Sequence, residues 1–234
     1  PMTSPLVWHW TRLKRQKNRW LYRLGLYRNP FADQVQPLDE DVDMTDRTLL
    51  FIGGLHRSGT SVLHRILRSH PAATGIHNPR VPESEGQYVQ DVFAPDRAFG
   101  GPGYFALDPR SHLTEASPLA TETNARRILR QWGRWMELED RRLLMEKSPS
   151  NLVRSRFLQA LFPGSRFLFV SRHPLAVSLA TQKWAKAPLA HLLTHWARAY
   201  AVLGEDLARL RHAKTIRYED LVAAGSQGMD AIWD

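Results

Sequence analysis

The stretch from Thr48 to Ser69 constrains this chain more than any other. T-L-L-F-I-G (Thr48–Gly53) reads as a buried strand, and Thr60 to Ser69 reads as a helix. Between them lies Gly54-Leu55-His56-Arg57-Ser58-Gly59. A glycine-bounded loop in this position can curl until several N–H groups point inward, and the helix N-terminus adds partial positive charge. Its natural occupant is an anion. The spacing nearly meets the nucleoside-triphosphate pattern G-x-x-x-x-G-K-[ST]. The lysine is missing, because Thr60 stands in its place, and a cation appears inside the loop at Arg57. That exchange disfavours magnesium-assisted phosphoryl transfer and suits a donor carrying less charge than a triphosphate.

Downstream, strand-like and helix-like segments alternate. Strands are expected at Leu143–Glu146, Arg166–Val170 and Thr215–Arg217. Helices are expected from Ser117-Pro118 to about Asp140, from Ser148-Pro149 to Pro163-Gly164, over Pro174–Trp184 and from Pro188 to about Ala213, the last broken at Gly204. Glu219 starts a turn or helix that runs towards Asp234. This alternation predicts an α/β fold: a P-loop-like parallel sheet with helices on both faces, three layers α/β/α. Ligands in such folds sit at the carboxyl ends of the strands. Residues 72–116 show no period and are rich in proline and glycine, which reads as a lid or binding loop.

The chain has 234 residues and a net charge of +9. Seven basic and no acidic side chains lie in residues 1–32, and six acids and no base in residues 33–46. Residues 1–46 therefore read as a basic, aromatic arm with an acidic linker, and 47–234 as the main domain, short of its C-terminal part. Trp10, Leu13, Trp20, Leu24 and Tyr27 fall at loosely helical spacings, interrupted by Lys17. The arm reads as a helix packed on the body, and its segment 6–28 as a candidate for peripheral membrane contact. The basic body beyond the arm implies an anionic ligand. No apolar run approaches the roughly 20 residues of a membrane-spanning helix, no leader is evident, and there is no cysteine. Those features suit a cytoplasmic, reducing setting. No His, Asp or Glu spacing suggests a metal. Trp132, Trp135, Trp184 and Trp196 read as core or interface residues.

A second anion site follows the strand F-L-F-V. Arg172, in S-R-H-P, sits where that strand ends, and a guanidinium there can take a phosphate through two parallel hydrogen bonds. Ser178 and Thr181, three apart on the next helix, could complete it. Two such sites describe a nucleotide with phosphates at both ends.

These residues bring a family into view. The chain resembles the sulfotransferases that use 3′-phosphoadenosine 5′-phosphosulfate (PAPS), and within them the bacterial proteins related to tyrosylprotein sulfotransferases. The matching segments are F-I-G-G-L-H-R-S-G-T-S-V-L-H-R-I-L-R-S-H-P (Phe51–Pro71), M-E-K-S-P (Met145–Pro149), F-V-S-R-H-P (Phe169–Pro174) and R-Y-E-D-L-V (Arg217–Val222). The resemblance implies in-line transfer of a sulfuryl group from PAPS to an acceptor hydroxyl, leaving adenosine 3′,5′-bisphosphate, with no metal. It implies that Arg57, Ser58, Gly59, Thr60 and Ser61 bind the 5′-phosphosulfate. Arg172 and a nearby hydroxyl, Ser178, would bind the 3′-phosphate, Tyr218 would contact the nucleotide, and Lys147 would stabilise the transferring group. Two positions depart from the family. Where many members carry the 3′-phosphate serine, eight residues after the arginine, this chain has Ala180. Where the tyrosylprotein enzymes carry a glutamate, about twenty residues after the loop arginine, it has His77, with Glu83 and Glu85 following.

Transfer to a hydroxyl needs a base. Glu85 is the first candidate, then Glu83, then His77, while Arg57 and Lys147 are the cations for developing charge. The acceptor is a carbohydrate, a peptide tyrosine, a lipid or a small molecule, and not a nucleic acid. Two other readings compete: a P-loop nucleotide kinase or triphosphatase, which the missing lysine weakens, and a non-catalytic basic binding module acting through the arm.

Overall fold

A computed structural model describes residues 5–224, with side chains from residue 13 onward. Five strands form one parallel sheet: β1 (Thr48–Gly53), β2 (Ala73–Gly75), β3 (Leu143–Lys147), β4 (Arg166–Ser171) and β5 (Ala213–Arg217), in the order β2-β3-β1-β4-β5. The chain enters at the centre, passes to the edge strand β2, returns inward to β3, then crosses to β4 and β5 on the other side. The loop after β1 thus lies at the switch point between the two halves, where this class of fold binds ligands.

Period-two alternation divides the core into two layers. Leu49 and Phe51 of β1, Leu144 of β3 and Phe167 and Phe169 of β4 face one side. They pack against α3 (Glu122–Gly133), α4 (Ser155–Leu161) and α6 (Leu189–Leu207). Ile52, Met145, Leu168 and Val170 face the other side, against Leu63 and Leu67 of α2 (Thr60–Arg68). A helix at 218–224 adds Leu221 to that layer. Phe51 is the hub of the larger layer: its ring stacks on Phe167 at 5.4 Å and meets Trp132 edge-on at 5.8 Å.

Several elements differ from expectation for identifiable reasons. Ser117 caps only a turn, accepting from the Leu119 N–H, and α3 begins at Glu122 behind the Thr121 cap, which accepts from the Asn124 N–H at 3.2 Å. The helix then ends at Gly133, well short of Asp140. The single helix expected after Ser148 is split. Pro149–Val153 is a 3₁₀ turn, Arg154 leaves helical geometry, and α4 follows. α5 (Pro174–Ala185) matches its prediction to one residue, whereas α6 is continuous through Gly204 and stops at Leu207.

Residues 72–116 are not an exposed flap. They contain β2 and five 3₁₀ turns, and they bury Val89, Phe93, Phe99 and Phe105 in the larger core. The stretch 33–46 also lies on the body: Val42 is in the core, the Leu38 N–H donates to the Arg130 carbonyl, and Trp135 donates to the Gln34 carbonyl. α1 (Pro5–Arg23) docks on the segment around Arg97 and Phe99. Trp10 and the run to Asp234 lie outside the described side chains and residues respectively.

Truncating Phe51 removes a fully buried ring from three aromatic neighbours. Phe51→Ala should destabilise the fold by about 3–5 kcal/mol, read as a lowered urea midpoint with unchanged slope.

Candidate active site

Each strand contributes to one cleft at the carboxyl edge of the sheet. The loop with Arg57 follows β1, Glu83 and Glu85 follow β2, Pro149 follows β3, Arg172 follows β4 and Tyr218 follows β5. The cleft has a volume of about 430 Å³, and its lining includes Arg57, Gly59, Thr60, Ser61, Glu83, Glu85, Arg172 and Tyr218.

The loop adopts the conformation its glycines allow. Gly54 and Gly59 have φ of +151° and +107°, and Gly59 precedes α2 with no side chain capping the helix. A β-carbon at Gly59 would lie 2.5 Å from the Tyr218 ring, and one at Gly54 would lie 2.5 Å from the Val170 carbonyl. Both are therefore sites of close approach as well as positive φ. Arg57 itself takes φ +72°, an uncommon state for a non-glycine residue. Ser58 is fully buried, and its hydroxyl has no partner among the described residues. An unpaired hydroxyl and an uncapped helix N-terminus fit an anionic group.

Both arginines lie over aromatic rings. The Arg57 guanidinium sits 4.7 Å above Trp184, and that of Arg172 sits 4.3 Å above Tyr218. Arg172 also donates to the Arg57 carbonyl at 3.1 Å, which joins the loop after β1 to the turn after β4 directly. The Glu219 carboxylate accepts from the His173 N–H and holds the turn after β4.

The carboxylates differ sharply. Glu85 is buried, and burial pushes its carboxyl up to about 7 against the pull of the Lys147 ammonium 3.4 Å away. Its other oxygen accepts from Gln87 at 2.7 Å. Glu83 is exposed and backbone-strained, with φ +51° beside Ser84 at +52°. Its carbonyl accepts from Lys147 at 2.8 Å. Lys147 is buried behind these two residues and does not itself line the open cleft.

Two expected residues fall elsewhere. His77 hydrogen-bonds the Gly75 carbonyl and pairs with Glu137, away from the cleft. Ser178 is buried in a small compartment behind the loop with His195 and Gly103, its hydroxyl without a partner among the described residues. Thr181 also faces inward, donating to the His56 carbonyl at 3.3 Å. On α5 the cleft is lined by Ala180 and Trp184 instead.

Arg65, Trp184 and His56 also line the cleft, with no role assigned to them from the sequence. Arg65 projects from α2 into the cleft, four residues after Ser61, so the helical period could have found it. Trp184 reads from the sequence as a core or interface residue, and it stands half exposed at the cleft. His56 sits at the cleft with Nε2 3.4 Å from Asp96, and burial lowers its pKa. No local motif announces that pair, because Asp96 comes from a distant, irregular segment.

Fold and cleft thus describe an α/β protein with a glycine-bounded loop after β1, two linked arginines at one cleft and no loop lysine. Comparison with known proteins agrees. The sequence profile of the Sulfotransferase family matches residues 50–234, and the chain belongs to that family. Protein-tyrosine sulfotransferase 2 of Gallus gallus is 28% identical over 220 residues, covering 85% of this chain and 56% of that protein. The chain thus spans a little over half of that relative's length. Sulfotransferase STF9 from Mycobacterium avium superposes with a TM-score of 0.54 at 13% identity, over 82% of this chain and 64% of that one. Sulfotransferase STF1 from Mycobacterium tuberculosis H37Rv gives 0.50 at 18% identity, over 95% and 71%. The sulfotransferase domain of the Synechococcus PCC 7002 olefin synthase gives 0.50 at 19%, over 84% and 75%. These structural likenesses establish the fold. Among the described residues no cluster of His, Asp and Glu could hold a metal ion, and no helix is long and apolar enough to cross a membrane.

The ring under Arg57 gives a direct test. Cation–π contacts at partly exposed sites are worth roughly 0.5–2 kcal/mol, so Trp184→Ala should weaken adenosine 3′,5′-bisphosphate binding by about 2- to 30-fold in calorimetry. Trp184→Phe should recover most of the loss.

Proposed function

We propose that this chain transfers a sulfuryl group from PAPS to an acceptor hydroxyl. The observation that carries the reading is the pairing of two anion sites in one cleft: the loop with Arg57 and Ser58, and Arg172 joined to it through the Arg57 carbonyl. One site suits the 5′ end of the donor and the other suits its 3′-phosphate. The loop N–H groups, Ser58, Gly59, Thr60 and Ser61 would hold the 5′-phosphosulfate, and Arg57 would face the charge that develops as the group departs. Arg172 would hold the 3′-phosphate with Arg65, since α5 presents Ala180 rather than a hydroxyl. Tyr218 would carry Arg172 and flank the nucleotide. The donor supplies an activated sulfuryl group, and the chain's residues bind, orient and move the proton.

Glu85 is the base we assign. It lines the cleft, and a carboxyl titrating near 7 is better matched to a hydroxyl proton than an ordinary one. Lys147 engages Glu83 and Glu85, so in this arrangement its first role is to position and tune that base. Exposed Glu83 and the His56–Asp96 pair are the remaining groups at the cleft. For the acceptor we favour a phenolic hydroxyl such as a peptide tyrosine. A phenol has a pKa of about 10, within reach of such a base, and the Gallus gallus relative is named for that substrate.

Two experiments test the reading. In a thermal-shift screen, adenosine 3′,5′-bisphosphate should stabilise the protein, whereas ADP and ATP with magnesium should not. Arg57→Ala should abolish the shift, and stabilisation by ATP with magnesium alone would point to a triphosphate enzyme instead. In pH–rate profiles, activity should fall as pH drops through about 7, because the base must be ionised. Glu85→Gln should lower kcat by on the order of 10²- to 10⁴-fold and erase that acid limb. Folding carries the matching signature. The raised carboxyl favours the folded state most below its ordinary value of 4.5, and that contribution is lost as pH rises through about 7.

A further inference from the structure

α1 has two working sides. On one, Arg15 donates to the Ala185 carbonyl and lies 4.4 Å above the Tyr104 ring, Asn18 donates to the Arg97 carbonyl, and Tyr22 meets Phe99 edge-on at 4.7 Å. Spacings of three and four put these residues on one helical face, docked to the body. Leu13 and Trp20, seven apart, lie on the opposite face, and Leu24 and Leu26 continue the apolar strip past the helix end. They are 55%, 64%, 54% and 62% exposed. Four of the ten large apolar side chains that stand exposed among the described residues therefore fall within 14 positions, which is a patch rather than scatter.

The charge around the patch indicates what covers it. Lys14, Lys17 and Arg23 are exposed beside it, and residues 1–32 contain no acid to offset them. An open groove of about 650 Å³ adjoins the strip at Trp20, lined also by Arg19, Arg23 and Arg110 around one carboxylate, Asp108. Asp108 takes Arg19 at 3.1 Å and Arg110 at 2.6 Å, so the groove keeps a charge of about +2 by that count. Arg23 has no ion-pair partner among the described residues. An indole and leucines projecting among guanidinium and ammonium groups are complementary to a bilayer with anionic headgroups. There the indole sits at headgroup level, the leucines enter the acyl boundary, and the cations meet phosphates.

We propose that this face of α1 is a membrane-docking surface. The helix is held to the body by Arg15, Asn18 and Tyr22. It lies in the plane of an anionic bilayer, inserting Leu13, Trp20, Leu24 and Leu26 and placing Lys14, Lys17 and Arg23 among the phosphates. The surface is separate from the cleft, so the proposal stands or falls independently of sulfuryl transfer.

Co-sedimentation of the full chain with vesicles tests it. Binding should appear with phosphatidylcholine vesicles containing about one-third phosphatidylglycerol, stay weak with phosphatidylcholine alone, and decline as salt shortens the screening length. The double substitution Leu13→Glu with Trp20→Glu should reduce binding by about tenfold or more. Its thermal midpoint and adenosine 3′,5′-bisphosphate binding should be unchanged, because both side chains project into solvent. Trp20→Ala offers a milder check if the double variant folds poorly, and Arg23→Glu should weaken binding to anionic vesicles selectively. The proposal is overturned by absence of vesicle binding, by binding that Trp20→Ala and the double variant both leave intact, or by concentration-dependent dimers that the double variant abolishes. The last result would assign the strip to a second copy.

Discussion

The site depends on a single buried carboxylate. Glu146 is almost fully buried, and burial pushes its pKa up despite the donors around it. It accepts from the Gly86 N–H at 2.9 Å, the Ser148 hydroxyl at 2.5 Å and the Asn151 amide at 2.6 Å. The same amide reaches the Ile52 carbonyl of β1. Three chain segments are thus tied to β3 at one point. Gly86 approaches so closely that a β-carbon there would lie 2.5 Å from the Glu146 side chain. Glu85 is the next residue along, so its place beside Lys147 is inherited from its neighbour's anchor.

The network continues inward. Gln87 accepts from Ser150 and from the Asp96 N–H, Asp96 accepts from Tyr88 at 2.6 Å, and Arg154 reaches Ser150 and the Ser111 carbonyl. The Arg154 guanidinium lies 5.1 Å from Phe93 and 5.8 Å from Phe99. Desolvation lowers its pKa to about 10, which still leaves it charged at neutral pH. In a low-dielectric interior each of these polar groups is costly unless paired, so the set specifies one arrangement of residues 85–111 strongly. This explains how a segment without a regular period becomes a rigid wall.

That wall marks the limit of what the sequence discloses. β1, α2, β4 and α5 were legible because apolar alternation, a glycine loop and a proline start each act locally. The same local logic places Arg57 and Arg172 just beyond strand ends, where the structure has them. β2 was not legible, because Ala73-Thr74-Gly75 is three residues long and owes its strand geometry to pairing with β3. The early stop of α3 and the break at Arg154 come from tertiary hydrogen bonds that outweigh helix propensity. Neither spacing nor the family resemblance fixes which way Ser178 points. Helical phase turns it towards His195, and Trp184 four residues beyond Ala180 takes the exposed face.

Arg57 and Arg172 rest on aromatic faces rather than against carboxylates, and among the described residues neither has an acidic group within ion-pair distance. A guanidinium neutralised by a carboxylate must surrender that partner before it can take a phosphate, which sets two electrostatic energies against each other. A ring makes no such demand. It narrows the side chain's rotamers, lowering the ordering entropy still to be lost on binding, and leaves the hydrogen-bonding fork open. Together they leave the cleft with two cations that are immobilised without being discharged.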